Sequence, residues 1–205
     1  IRMLFLDRNF GYSRALNYGI GESKGKYIIV SNADIYFENK SIKNLYNYYI
    51  DKKPGVLGSK VLNFNGVFQK SSRRRFPFFK YIIPHLLHFS TKYNYLDVNE
   101  NKAIKVDTIS GCCMFFSRKL YDKVKGFDEK FFLYFEDTDF CIKCSNIGYN
   151  TIYYPVVHIF HFKHGSRNFS NCLYVKYHFY RSFIIFIKKY FNYYFTLNKN
   201  VKIYS

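Results

Sequence analysis

Apolar and polar positions along this chain switch repeatedly between two periods. IRMLFL (residues 1–6) is a near-continuous apolar run of the kind that forms a buried strand. YSRALNYGIGES (12–23) has helical apolar spacing that runs out near Gly21 or Gly25. KYIIVSNADIYF (26–37) is β-branched and aromatic, and predicts a strand running into Ser31, Asn32 and Asp34. KSIKNLYNYYIDKKPG (40–55) returns to helical spacing, with Ile42, Leu45 and Tyr49 on its apolar side and Pro54-Gly55 as its stop. Strand, helix, strand, helix predicts an α/β sheet. Ligands bind such sheets beyond the carboxyl ends of the strands, where Asn32 and Asp34 fall.

Residues 56–62 predict another strand, closed by a turn at Asn63-Phe64-Asn65-Gly66. Residues 69–102 carry two prolines and no clean period, which predicts a long, partly helical excursion of the kind that is often functional. IKVDTISGCCMFFS (104–117) resumes strand character, and RKLYDKVKGFD (118–128) predicts a short helix ended by Gly126. A further helix is predicted from Thr138 to Gly148, with Phe140, Cys144 and Ile147 on one face. YNTIYYPVVHIFHF (149–162) is the last strand-like segment, and residues 173–195 form a basic, aromatic helical pattern. There is no internal repeat.

Composition narrows this picture. The chain has 205 residues, 48% of them hydrophobic, enough for one sizeable core with an appended element rather than disorder. A formal charge of +18 attracts anions: nucleic acid, an acidic membrane leaflet or phosphorylated substrates. Abundant Tyr, Phe, Ile, Lys and Asn without Trp fit base-composition pressure, so the aromatic count carries little weight. Five cysteines, including Cys112-Cys113 and Cys141-Ile142-Lys143-Cys144, suit reduced cytosolic thiols better than a disulfide framework. Cys141 and Cys144 have half a zinc site's spacing and no matching second pair. The first residues turn polar by position 7, unlike a secretory leader, and FIIFI (183–187) is far too short to span a bilayer. The opening strand, already under way and without an initiator Met, predicts that a piece is missing from the front.

The candidate chemistry lies in FFLYFEDTDFC (131–141), where Glu136, Asp137 and Asp139 follow a run of aromatics. One carboxylate there would be an ordinary first-turn residue favoured by the helix dipole. Three beside apolar walls raise one another's pKa and destabilise the fold unless a cation, a base role or a hydrogen-bonding ligand employs them.

An ordered series of motifs surrounds that cluster: Asn9-Phe10-Gly11-Tyr12-Ser13 with Ala15, Asn17 and Gly19; YIIVSNAD to Asp34; VLGSKVLNFNGVFQKSSRRRFP; VDTISGCC through the acidic cluster to SNIGY; and HIFHFKHGS. Over residues 7–168 the series resembles the family 2 glycosyltransferases, especially the rhamnosyltransferase-like branch that builds bacterial surface polysaccharides. The resemblance implies an α/β GT-A fold, a Rossmann-like mixed sheet flanked by helices, that uses a nucleotide-diphosphate sugar as donor. It also implies that the family's opening strand-helix-strand, which grips the nucleotide, is absent, leaving the domain N-terminally incomplete.

On this resemblance the family's Asp-x-Asp-type motif falls on Asn32-Ala33-Asp34, and Asp34 is the expected ligand of a divalent metal, Mg²⁺ or Mn²⁺, on the donor's diphosphate. Asn32 departs from a strict acidic pair. The Glu-Asp motif falls on Glu136-Asp137, with Asp137 the expected general base, and the histidine after the last core strand falls on His161, an expected metal or diphosphate ligand. These roles suit the chemistry: a sugar hydroxyl needs a carboxylate to accept its proton as it attacks, and a leaving diphosphate needs its charge neutralised. In-line displacement then inverts the anomeric centre.

Asn9 and Asn17 are candidates for shaping the donor pocket, with turn and cap roles as the alternative. Gly111 is a candidate for close approach of substrate to the backbone, with an ordinary tight strand end as the alternative, Asp139 shares the cluster's candidacy, and the run Arg73-Arg74-Arg75 could grip phosphate, with Arg75 a candidate substrate ligand, or be solvated charge. His158 and His164 share His161's three-residue spacing and read as surface or packing residues, and Asp107 reads as structural. The chain divides into a transferase domain, 1–168, and a basic aromatic extension, 169–205, which either lies along an anionic membrane or packs back on the domain. The expected acceptor is a glycan or a polyprenyl-diphosphate-linked sugar, and the expected location cytoplasmic, peripheral at the inner face of the cell membrane. A nucleotidyltransferase and a basic nucleic-acid binder are the rival readings; no nucleic-acid partner is expected.

Overall fold

In a computed structural model, residues 2–87, 92–162 and 169–200 are described. Helix α1 (Tyr12–Glu22) leads to strand β1 (Tyr27–Ser31), then β2 (Ile35–Phe37), helix α2 (Ser41–Lys52) and strand β3 (Val56–Leu62). The excursion holds β4 (Arg73–Arg74) and α3 (Phe79–Leu86). Then come β5 (Ile104–Val106), β6 (Thr108–Ile109), β7 (Cys113–Ser117), α4 (Arg118–Lys123), α5 (Glu136–Asn146), β8 (Thr151–His161) and α6 (Phe169–Asn200).

The main sheet runs β1-β7-β3-β8-β2, with β5 also paired to β8. β3 and β8 are parallel and the other pairs antiparallel, so the sheet is mixed. β8 buries Thr151, Tyr153, Pro155, Val157 and Ile159 in alternation, but it is covered on both faces: Tyr153 joins the core on one side, and beyond the irregularity at Pro155 Val157 joins the cluster on the other, with Ile152 and Tyr154. Its ladder with β3 skips between Tyr154 and His158, where Pro155 has no N–H to donate. The core on one face of the sheet is largely aromatic: Phe116, Phe127, Phe140, Tyr153 and Phe186 are buried, and Phe127 stacks on Phe140 with centroids 4.5 Å apart. On the other face Leu45 and Tyr49 of α2 close over Leu57, Phe115 and Val157.

Several expectations are corrected by packing. Arg2–Leu6 form no strand, and Met3 and Phe5 stand exposed; a strand exists through its ladder, and among the described residues β1 is paired on one side alone, by β7. Residues 26–37 divide into β1 and β2 at a turn through Ala33 and Asp34, and residues 104–117 divide into three strands. Ile42 is exposed, and so is Ile147, which lies just past the end of α5. The four described cysteines are buried and none is in a disulfide, and burial pushes the Cys141 thiol up to about 12, which suits inert core residues rather than metal or redox ligands.

The tail packs back on the domain. On α6, His178, Ser182, Phe186 and Tyr190 are buried, and Ser182 Oγ donates to the Leu133 carbonyl at 2.7 Å. His178 stacks on Phe132 at 4.2 Å. The opposite face of α6 exposes Leu173, Tyr177, Tyr180, Ile184 and Phe191.

Candidate active site

One end of the sheet gathers residues that are far apart in sequence. β2 pairs with β8 so that Ile35 faces His161, and Phe162 N donates to the Asp34 carbonyl at 3.0 Å. This register brings Asp34, just ahead of β2, beside the last residue of β8. Asn32, one residue past β1, donates its N–H to the Cys112 carbonyl at 3.1 Å, placing it against the loop that opens β7. Asn32, Asp34, His161, Gly111, Glu136 and Asp137 all line one cavity of about 760 Å³.

His161 is held from both sides. Gln69 donates through Nε2 to the His161 carbonyl at 3.1 Å, which turns Gln69 Oε1 toward His161 Nδ1 at 3.2 Å. An acceptor at that distance takes the Nδ1 proton and leaves the Nε2 lone pair toward the cavity. Nε2 lies 3.3 Å from Asp34 Oδ1 and 3.4 Å from Asn32 Nδ2. The Tyr12 hydroxyl donates to Asn32 Oδ1 at 3.0 Å, so the Asn32 amide N–H₂ is the end that faces His161. A carboxylate oxygen and an imidazole nitrogen this close fit neighbouring positions around one small cation, whose ligand distances are about 2.1 Å. No group of three or more His, Cys, Asp or Glu suited to a metal occurs among the described residues, so a cation here would draw its other ligands from substrate and water.

The acidic cluster is delivered by a strained reversal. Tyr134 and Phe135 take consecutive left-handed conformations, φ 68° and 67°, immediately before Glu136. Each such residue costs on the order of 1–2 kcal/mol and persists where surrounding packing over-determines it. Phe135 is clamped among Phe179, Phe183 and Phe186 of α6, at 5.5, 5.7 and 5.2 Å. The first turn of α5 then points its three carboxylates in three directions. Asp137 Oδ2 accepts from Arg74 at 2.6 Å and from Gly111 N at 2.9 Å, while Oδ1 accepts from Thr138 N at 2.6 Å. Glu136 is buried in the cavity wall, and that burial together with the neighbouring Asp137 charge pushes its carboxyl up to about 8.

Asp139 turns away. It is fully buried outside the cavity lining, where Oδ1 meets Lys189 Nζ and the Tyr190 hydroxyl, each at 2.6 Å, with Lys143 at 3.7 Å. The expectation of a substrate role for Asp139 is therefore corrected: successive helical residues point about 100° apart, so Asp139 sits toward α6.

The arginine run is divided by strand alternation and by the loop above it. Arg74 alone lines the cavity. Arg73 is fully buried, donating to the carbonyls of Tyr95, Val98 and Asn99. Arg75 lies outside the lining, paired with Asp97 at 3.0 Å and stacked over Tyr95, so the expectation of a substrate contact for Arg75 is corrected as well.

Asn9 and Asn17 also lie outside the lining. Asn9 Oδ1 accepts from Gly11 N at 2.9 Å in a local turn, and Asn17 ties α1 to the Phe127 backbone and the Tyr121 hydroxyl. The turn alternative describes Asn9, whereas Asn17, in the middle of α1, is neither turn nor cap and makes tertiary contacts instead. Gly111 does line the cavity, and its carbonyl accepts from the Tyr12 hydroxyl at 3.0 Å. His158 pairs with Glu38 at 2.7 Å, away from the cavity, and Asp107 accepts from Phe76 N at 2.9 Å in a structural contact. His164 lies outside the described residues.

Gln69 and Tyr93 in the lining are not among the candidates named above, whereas Tyr12 lies in the quoted Asn9-Phe10-Gly11-Tyr12-Ser13 motif and Arg74 in the arginine run read as a phosphate grip or solvated charge. Gln69 and Arg74 fall within the quoted motif VLGSKVLNFNGVFQKSSRRRFP, and that recurrence of polar residues in the excursion was the available signal.

A sequence profile described as Glycosyl transferase family 2 matches residues 1–125, and one described as N-terminal domain of galactosyltransferase matches residues 88–165. N-acetylglucosaminyl-diphospho-decaprenol L-rhamnosyltransferase of Mycobacterium tuberculosis is 25% identical over 190 residues, covering 80% of this chain and 59% of that protein. Rhamnosyltransferase WbbL of Escherichia coli K12 is 25% identical over 176 residues, covering 78% of this chain and 64% of that protein. The chain thus spans about three-fifths of the length of these curated relatives. Among solved structures, GalNAc-T7 with UDP, GalNAc and Mn²⁺ superposes with a TM-score of 0.58 at 12% identity, over 77% of this chain and 31% of that one. At that identity the likeness speaks to fold alone, and the fold is the expected GT-A mixed sheet flanked by helices.

Proposed function

The chain belongs to glycosyl transferase family 2, and from that premise we propose that it carries the catalytic part of an inverting glycosyltransferase in cell-surface polysaccharide synthesis. The donor is a nucleotide-diphosphate sugar, and the acceptor is a hydroxyl of a glycan or of a polyprenyl-diphosphate-linked sugar. The observation that carries this reading is the convergence of Asn32, Asp34 and His161 with Glu136 and Asp137 around one cavity.

Asp34 and His161 would hold a divalent cation, Mg²⁺ or Mn²⁺, with Gln69 orienting the imidazole through Nδ1. When bound, that cation neutralises the charge of the departing diphosphate. Asp137 accepts the proton of the attacking hydroxyl. Its oxygens are aimed by Arg74, Gly111 N and Thr138 N, so the base is held in place before substrate arrives. The aromatic side chains of the lining, among them Tyr12, Tyr93, Phe135 and Phe179, exclude water and offer flat faces to a sugar ring.

The transferase unit spans residues 1–168, with α6 adding Phe179 to the cavity wall. No helix among the described residues is long and apolar enough to cross a membrane. We place the enzyme at the cytoplasmic face of the cell membrane, touching anionic lipid through the outward side of α6, where exposed Tyr177, Tyr180 and Ile184 lie among Lys176, Arg181 and Lys188.

The test is sugar transfer by the full-length protein from a panel of nucleotide sugars. Asp137→Asn is expected to lower kcat by about 10²–10⁴-fold with the fold preserved. Near-normal turnover in that variant would reject the base assignment.

A further inference from the structure

Two buried polar atoms in the cavity wall have no hydrogen-bond partner among the described residues: Ser72 Oγ and Glu136 Oε2. Ser72 is 2% exposed and Glu136 6%. An orphaned buried polar group is destabilising by about 1–3 kcal/mol, so two in one wall point to a ligand that completes them.

Both flank the assigned base. The Ser72 carbonyl accepts from Ser110 N at 2.9 Å, and the next residue, Gly111, donates to Asp137 at 2.9 Å. A methyl group placed on Gly111 would stand 3.5 Å from Glu136 Oε1 and 3.5 Å from Asp137 Cβ. Each Asp137 oxygen already accepts hydrogen bonds from the protein, whereas Glu136 keeps one oxygen unused. The charged and titratable groups facing Glu136 are Asp137 on its own helix, Arg74 from β4, Tyr12 from α1 and the preceding Tyr134.

We propose that Glu136 and Ser72 form a hydroxyl-recognition subsite for the acceptor, in which Glu136 Oε2 hydrogen-bonds the sugar hydroxyl adjacent to the one that Asp137 deprotonates. The inference rests on the transferase reading and adds the acceptor class: a pyranose with a free hydroxyl vicinal to the attacking one. The chemistry of the pair excludes the alternatives. A phosphate would meet two carboxyl groups with Arg74 already engaged, and a bare cation would meet the Arg74 guanidinium. A hydroxyl both gives and takes a hydrogen bond, as does a Glu136 carboxyl that keeps its proton to about pH 8. Glu136 and Asp137 line the same cavity, where Tyr93 and Phe135 add apolar lining, so one ring can meet both carboxyl groups although the two side chains leave the helix in different directions.

The experiment pairs octyl pyranosides with their monodeoxy counterparts lacking the vicinal hydroxyl, using full-length protein and a nucleotide-sugar panel. Wild type is expected to favour the complete acceptor by about tenfold or more in kcat/KM. Glu136→Ala should bring that ratio near unity through KM, Glu136→Gln should retain it, and Asp137→Asn should lower kcat on both acceptors alike. The acceptor KM of wild type should rise above about pH 8, and that rise should vanish in Glu136→Gln. Undiminished discrimination in folded Glu136→Ala, or none in an active wild type, overturns the proposal. Should Glu136→Ala fail to fold, Ser72→Ala, which removes one hydroxyl, carries the same comparison. If wild type glycosylates nothing in the panel, the transferase reading is what fails. Saturation-transfer NMR of the same octyl pyranosides then decides this subsite separately: signals lost in Glu136→Ala support it, and unchanged signals refute it.

Discussion

Substituting Asp139 with Asn tests how the tail is joined to the site. Asp139 is fully buried and meets Lys189 and the Tyr190 hydroxyl at 2.6 Å each, with Lys143 at 3.7 Å. Breaking a buried ion pair by removing one partner costs about 3–5 kcal/mol. Two features pull the figure to the low end. Lys189 keeps Asp128 at 2.6 Å, and Asn still offers an oxygen to Tyr190. A loss of about 3 kcal/mol is therefore expected, roughly a 150-fold change in the unfolding equilibrium. For a domain of this size that lowers Tm by about 6–12 °C. Because Phe179, Phe183 and Phe186 of α6 clamp the left-handed Phe135, the loosened helix should also release the first turn of α5. Urea unfolding and amide hydrogen exchange read both effects, with faster exchange across α6 at temperatures where the variant is still folded. An unchanged Tm and unchanged α6 exchange, combined with a raised KM for donor or acceptor, would refute the structural account and return Asp139 to the substrate site.

Gln69→Ala should raise the Mn²⁺ concentration needed for half-maximal transfer by about 10–100-fold, because the imidazole loses its Nδ1 partner; an unchanged metal titration would remove Gln69 from that role. Glu136 has its carboxyl raised from 4.5 to about 8 in the folded protein, so the folded state holds a proton that the unfolded state releases. Stability relative to Glu136→Gln should therefore be greatest below about pH 4.5 and decline as pH rises to about 8, measured by urea unfolding across that window. Gly58→Ala should destabilise by roughly 1–3 kcal/mol or more, since its methyl would sit 2.2 Å from Ile109 Cγ2, a rigid, buried neighbour. Gly111→Ala should fold normally, its nearest atoms being 3.5 Å away, and should impair transfer by narrowing the cavity; thermal melts beside assays separate the two glycines.

Local pattern alone determined much of this molecule. The helices at Tyr12–Glu22 and Ser41–Lys52, the strand at Val56–Leu62 and the body of α5 were legible because each is set by short-range spacing and stop signals, although α5 begins at Glu136, two residues ahead of the expected Thr138. The ordered motifs around Asp34, Asp137 and His161 pointed to one family before any fold was known. Tertiary structure decided the rest. Residues 26–37 read as one strand because β propensity does not register that Asn32 must reach Cys112 while Ile35 pairs with His161, which forces the turn between them. Three adjacent arginines look alike in sequence, yet Arg73 enters the core, Arg74 reaches Asp137 and Arg75 meets Asp97. Three neighbouring acids separate in the same way, one into the wall, one onto Arg74 and one onto Lys189. Residue type sets what a side chain can do chemically, but its direction and its partner are properties of the assembled sheet and helices, fixed by contacts between positions up to 129 residues apart.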